Sequence, residues 1–476
     1  MNGVFSLKTA VAVLLVMIMT TLTAAAQDAK PRHAPNTLPG VEPEMLSPDY
    51  WIARMDDPDD IVMTPNEIAT FNERVRTKSV SFDEKFGKLH PLERGFADAV
   101  NKGLIMNPLR PLMLPATLPG DTLRTWLEYN VDYLHSRDFY DDRNVIFNDD
   151  MRAEIVEKMN IGSVPDVIRR EYGIIVRHTN VRYFPSARPG YSDTKWELDH
   201  FQATGNLIGE PVTVIHRSID GDFVYIESPI ARGWVDATTV AVDQKADIQS
   251  LVEDKNFVMA TCDKVPVYAD PACRRFSRYL YYAATMPLIR KDSIGYVVRM
   301  AYAEPDGSLG VTNGYIKPDA DVSVGFLPYT KRNVITQLFK LLNKPYGWGD
   351  QDNKRSCAGT MRVLFRCFGF RTGRHPSYLL SSSDRQTFID PEWSTEKKTE
   401  VVSKIEPFVT IAGSPGHVVL YIGKGHTGKL YYMHQAGWGY EDDNGEHLFV
   451  NRTTINAADH RFYNIGSALV YTTFRP

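Results

Sequence analysis

The stretch YGWGDQDNKRSCAGTMRVLFRCFG, running from Tyr346 to Gly369, decides how this chain is read. It begins with a Gly-rich turn, passes through a polar loop and enters a helical pattern at Cys357. From there, Met361, Leu364, Phe365 and Phe368 fall on one face of a helix. Ser356 stands where an N-cap belongs, and Gly369 where a C′ glycine belongs. Cys357 therefore occupies the first turn of a buried amphipathic helix. The helix dipole and the free N–H groups there favour a thiolate over a thiol, which a cysteine nucleophile requires. The competing reading is a packing cysteine in a core helix, since free Cys is among the most buried residue types.

A nucleophile needs a base, and the base needs a group to orient it. His417 opens a strand directly after the turn Ser414-Pro415-Gly416. His434 lies on the next strand, across the turn 423–428. If that hairpin pairs Gly423 with Leu430, His417 faces Ala436. His434, two residues away, is then its diagonal neighbour on the same face. A slip of one residue would put the two rings on opposite faces. A hydrogen-bonded structural role is the alternative for either ring.

The chain has 476 residues, enough for about three domains. With 43% apolar and 24% charged residues and a net charge of −4, it carries no mark of a nucleic-acid partner. Lys8, the apolar run Ala10 to Met19 and Ala24-Ala25-Ala26 predict a signal peptide over 1–26, too short to span a bilayer. No later stretch is apolar for 18 residues, so the mature chain is expected to be exported, periplasmic or secreted, with no membrane span. Export makes the cysteines informative. Cys262 and Cys273 are near enough in sequence to close a small loop. Cys357 and Cys367 share one helix, about 15 Å apart along its axis, beyond the reach of a disulfide.

Residues 27–165 carry short helical patterns and many prolines. Thr64-Pro65-Asn66-Glu67 is a capping box with Pro at N1, followed by Ile68, Phe71 and Val75 on one face. Leu123, Trp126, Leu127 and Leu134 predict a second helix, and Ile155, Val156 and Met159 a third. This region is expected to be a helical clip packed on the domains C-terminal to it. Period-two strands take over at 166–245, and a similar series recurs at 255–330. The order of a strand, then Val181-Arg182-Tyr183-Phe184 or Val265-Pro266-Val267-Tyr268, a strand pair, and Gly233-Trp234-Val235 or Gly314-Tyr315-Ile316 appears twice. It resembles two tandem bacterial SH3-like domains. The last unit, 331–476, opens with the helical pattern Val334, Leu338, Leu341 and Leu342, broken by Pro345.

Pro345-Tyr346-Gly347-Trp348-Gly349, the helix-start Cys357, Gly416-His417-Val418-Val419-Leu420-Tyr421-Ile422-Gly423 and His434 together resemble the NlpC/p60 cell-wall cysteine peptidases. The resemblance implies an α+β chain: a papain-like NlpC-type catalytic domain preceded by two small SH3-like β-barrels and a mostly helical N-terminal segment. It implies Cys357 as nucleophile, His417 as base, His434 as orienter and Tyr346 as an oxyanion donor beside the Cys357 N–H. Trp348, with Asp199, Gln202 and Trp234 of the first barrel, is expected to bind substrate along the groove, although the barrel residues also fit a barrel interior. The implied reaction cuts the γ-D-glutamyl–diamino acid bond of peptidoglycan stem peptides or murein fragments, in a monomer without a cofactor. Ser356 stands where the family commonly has Asp. Arg374-His375-Pro376-Ser377 lacks the acid that in relatives grips a free peptide amine. A non-catalytic wall-binding protein and an amidase or acyltransferase on the same fold are the rival readings. Gly423 to Lys429 imitates a phosphate-binding loop but joins two strands. Asp442-Asp443-Asn444-Gly445 reads as a turn. No metal-ligand spacing occurs, so no metal is expected.

Overall fold

The computed structural model describes residues 32–77, 110–192, 198–414 and 416–476. The signal peptide expected at 1–26 lies outside them. No helix among the described residues is long and apolar enough to cross a membrane.

Three antiparallel sheets organise the molecule. The first has seven strands between Glu171 and Asp243, and the second has seven between Phe257 and Val324. In the first, Pro211–Arg217 and Phe223–Glu227 form a hairpin whose turn needs Gly221 at φ 77°. Alternating residues Val212, Val214, Val224 and Ile226 fill its interior. Trp234 is fully buried against Tyr225, with ring centroids 5.3 Å apart.

The third sheet has six strands, in the order Gln386–Phe388, Val470–Thr473, Thr410–Ser414, His417–Lys424, Leu430–Ala436, Arg452–Ala457. Helix Cys357–Arg366 packs across its two central hairpin strands. Met361, Leu364, Phe365 and Phe368 are buried there as the pattern requires, and Phe365 stacks on Phe474 at 4.2 Å. The helix ends one residue earlier than expected. Cys367 is the C-cap, and Gly369 takes its positive φ of 93° two residues beyond.

The N-terminal segment divides between two cores. In residues 32–77, Trp51 packs on Phe408 and Tyr431, and Phe71 on Phe370 and Phe474. Strand Ile61–Met63 pairs with Tyr329–Thr330, and Arg32–His33 with His447–Phe449. The Thr64 capping box forms, with the Thr64 N–H donating to Glu67 and the Glu67 N–H to Thr64 Oγ1. Removing an aromatic as enclosed as Trp51 costs about 3–5 kcal/mol. Helices Gly120–His135 and Asp149–Lys158 instead bury Leu123, Leu127 and Ile155 against Phe201, Tyr225 and Trp234 of the first sheet. All four cysteines are free. Beside Cys273, Asp270 closes a tight turn, accepting the N–H groups of Ala272, Arg274 and Arg275.

Candidate active site

Ser356 caps the helix that begins at Cys357, its Oγ accepting the Gly359 N–H at 3.1 Å. Behind the cap stands Asp350, which sequence reasoning missed. Its Oδ1 accepts both the Ser356 N–H (2.8 Å) and the Ser356 hydroxyl (2.7 Å). A loop acid thus comes to the helix start from six residues upstream. Two local features permit it. Gly349 and Asp350 both take the left-handed conformation, φ 57° and 58°. Gly359 has no Cβ, which would otherwise lie 1.9 Å from Asp350 Oδ1. Burial pushes the Asp350 carboxyl up, but Arg362, Arg374 and the Ser356 hydrogen bonds outweigh it and hold it below its usual range. A fixed negative charge is thus held at the helix start by one N–H and one hydroxyl of Ser356.

The two histidines meet. His417 Nε2 and His434 Nδ1 are 2.8 Å apart. The hairpin closes on Lys424–Leu430 rather than Gly423–Leu430. A bulge at Ile422 then restores the expected register, with Tyr421 opposite Tyr432 and Leu420 opposite Met433. Trp438 stands edge-on to the His417 ring at 4.5 Å, and Tyr463 contacts both rings at 5.3 Å. Both imidazoles are buried. His417 Nδ1 and His434 Nε2 are buried with no hydrogen-bond partner among the described residues.

The Cys357 sulfur receives the backbone N–H groups of Val418 and Ala358. Val418 follows His417 directly, so the sulfur lies against the strand end that carries the imidazole. Burial raises the thiol above its ordinary value, and those N–H groups and Arg374 offset only part of the rise. Burial, reinforced by His434, drives His417 well below its ordinary value; burial alone holds His434 at about 3. Burial thus disfavours the charged form of both the thiol and the imidazole.

Tyr346 packs its ring on Gly437, where a Cβ would come within 2.5 Å, and its hydroxyl is raised by burial and by the nearby thiol. Trp348 is 36% exposed and faces the His200 ring of the first sheet at 5.7 Å. Gln202 donates from Nε2 to the Gly349 carbonyl at 3.1 Å, so it braces the Asp350 loop from the first sheet. Asp199 and Trp234 are not brought to the thiol. Asp199 is fully buried, pairing with Arg182 at 2.8 Å and accepting the Gly190 and Phe201 N–H groups. Trp234 is sealed in the packing of the first sheet. His375 caps a short helix through the Ser377 N–H.

Residues 188–236 match the family model of an SH3 domain of the SH3b1 type. No curated protein matches the sequence. Among solved structures, an NlpC/P60 endopeptidase from Photobacterium damselae subsp. piscicida superposes with a TM-score of 0.71 at 16% identity, over 93% of this chain and 99% of that one. An NlpC/P60 family protein from Bacillus cereus ATCC 10987 aligns at TM-score 0.45 and 17% identity, over 64% of this chain and 100% of that one. NlpC2 from Trichomonas vaginalis aligns at TM-score 0.25 and 12% identity, over 64% and 97%. The chain has the α+β fold of the Photobacterium endopeptidase along nearly its whole length, with an SH3-type unit in its first sheet.

Proposed function

We propose that this chain is an exported cysteine endopeptidase that hydrolyses peptidoglycan stem peptides at the γ-D-glutamyl–diamino acid bond. The observation that carries the proposal is the 2.8 Å contact between His417 Nε2 and His434 Nδ1, which leaves His417 Nδ1 without a hydrogen-bond partner among the described residues, on the strand against which the Cys357 helix packs. For His417 Nδ1 to act as base it must be bare. His417 then donates from Nε2 to His434 Nδ1, and His434, neutral, carries its own proton on Nε2. His434 fixes the tautomer and does no proton transfer itself.

In this reading the Cys357 proton moves to His417 Nδ1 as the sulfur attacks the amide carbon. The developing oxyanion takes hydrogen bonds from the Cys357 N–H and the Tyr346 hydroxyl, donors worth a few kcal/mol each. The C–N bond breaks, the leaving amine takes the proton from His417, and a thioester remains on Cys357. Water, deprotonated by His417, then releases the acid and restores the thiol. Trp348 lies half-exposed at the seam with the first sheet, where it offers an apolar face to the peptide. The fold shared with an NlpC/P60 endopeptidase supports the substrate class.

The test is mass spectrometry of the products from defined stem peptides. Fragments ending in γ-D-glutamate and beginning with the diamino acid are expected. Cleavage at the sugar–peptide amide, or transfer to an added amine, would make the chain an amidase or acyltransferase instead. Binding to sacculi with no new amine would make it a wall-binding protein.

A further inference from the structure

The loop Gly423 to Lys429, whose likeness to a phosphate-binding loop the thiol chemistry leaves unused, packs on the N-terminal segment. Gly425 makes this close approach possible. A Cβ there would come within 3.0 Å of the Met45 side chain and 3.3 Å of the Tyr50 hydroxyl. The loop thereby sets His426 beside Glu42 and Glu44. One ligand atom from each of these three residues lies within 4.8 Å of the other two. The imidazole and the glutamates come from opposite ends of the chain, so no local spacing announces them.

The geometry suits a metal ion better than an ion pair. Two ligand atoms about 2.1 Å from a tetrahedral ion stand about 3.4 Å apart. His426 Nε2 and Glu42 Oε1 are 3.5 Å apart, which is long for a hydrogen bond. A further group holds the ring. The Tyr50 oxygen accepts the His426 backbone N–H at 3.0 Å and lies 3.1 Å from His426 Nδ1. A proton on Nδ1, donated to that oxygen, leaves Nε2 bare toward the glutamates, the arrangement that metal-bound imidazoles use. Neither glutamate is ion-paired with a lysine or arginine among the described residues. Arg54 instead turns its guanidinium onto the Tyr50 ring, 3.5 Å from the centroid. The Glu44 carboxyl is held below its usual range, first by its own backbone N–H and then by the Glu42 side chain, so it stays ionised next to a second acid. Two carboxylates this close repel each other until a cation joins them.

We propose that Glu42, Glu44 and His426 bind a first-row divalent cation, zinc by preference, and that the ion ties the N-terminal segment to the hairpin that carries His417 and His434. One imidazole and two carboxylates suit zinc, whereas magnesium and calcium favour oxygen alone. Water completes the shell on the solvent side, where Glu44 and His426 are exposed. The site lies at the turn end of the hairpin, while His417 and His434 lie toward its open end. It stands whether or not Cys357 cuts a peptide.

The experiment is a zinc titration by calorimetry on the full chain as Cys357→Ala, so that the catalytic thiol cannot take the ion. A single bound ion is expected, and zinc is expected to raise the unfolding midpoint by a few degrees, because it binds only the folded chain. Adding His426→Ala is expected to weaken binding by roughly a hundredfold or more, and Tyr50→Phe, which removes only the hydroxyl behind the ring, by about tenfold. Glu44→Gln, at an exposed side chain, is expected to weaken binding and abolish the zinc-dependent rise while leaving the zinc-free midpoint unchanged. Excess magnesium is expected not to displace zinc. No zinc binding, or an isotherm unmoved by both His426→Ala and Glu44→Gln, overturns the proposal. Equal competition by magnesium overturns the role of the imidazole.

Discussion

The first and second sheets have the same strand count and the same sequence order, yet they hold the thiol unit in different ways. The first grips the loop that builds the site. Gln202 donates to Gly349, Asn180 pairs with Asp352 at 3.0 Å, and Glu210 meets Arg362 and Arg366 on the Cys357 helix. Gln202 and Glu210 are almost wholly buried. The second sheet props the unit from outside. Asp321 pairs with Lys340 and Asp263 with Lys344, all partly in solvent. Its better-buried contacts are Tyr282 on Gln337 and Asp263 on Arg355. Topology alone does not assign a barrel its role. The role depends on which polar groups it buries against the loop at 348–353.

That contrast orders the expected effects. Asp350→Ala removes a buried carboxylate from Arg362 and Ser356 and should be the most damaging change, about 3–5 kcal/mol in denaturant unfolding, with activity falling alongside. A loss under about 1 kcal/mol would place the support elsewhere. Next is acid. His178 is enclosed at the junction of the two sheets, under Gly205 and against the Tyr281 ring at 5.2 Å, and burial holds it at about 4. Its unfolded value is about 6.5, so the unfolded chain binds the extra proton between those values. Stability is therefore present above about pH 6.5 and lost as pH falls toward 4, by roughly 3 kcal/mol at most from this residue. His178→Gln should flatten that slope, and an unchanged slope would contradict the burial argument. Gln202→Ala, which leaves the Gly349 carbonyl without its donor, should cost about 1–2 kcal/mol and lower turnover. Lys344→Ala, at the second sheet's exposed pair, should cost at most about 1 kcal/mol and leave turnover unchanged. If Lys344→Ala hurts turnover more than Gln202→Ala, the contrast between the sheets fails.

Short-range periodicity accounts for the part of the molecule that is legible in the sequence. The 3.6-residue repeat from Cys357, the Ser356 cap and the two-residue alternation of the His417 strand each point to one conformation. The diagonal placement of His434 comes from strand register, although the bulge at Ile422 alters the route to it. The illegible part depends on groups far apart in sequence or on unusual backbone. Asp350 reaches the helix start only because two successive residues turn left-handed, and its sole sequence hint is an acid beside Gly349. Trp438, set between Gly437 and Gly439, offers no period to read. The division of the N-terminal segment between two cores depends on Trp51 and Phe71 finding Phe408 and Phe370, far away in the sequence. Trp234 and Asp199 carry residue types equally at home in a groove or an interior, so burial alone separates the two.

The central claim is that one sulfur does the cutting with an imidazole whose partner ring holds its tautomer. The most direct measurement is release of new amino groups from murein fragments by the wild-type chain and by Cys357→Ala, with unfolding curves for both. Release is expected to fall by about a thousandfold or more in the variant while its unfolding midpoint stays close to wild type. Undiminished release from a folded Cys357→Ala protein would contradict the account.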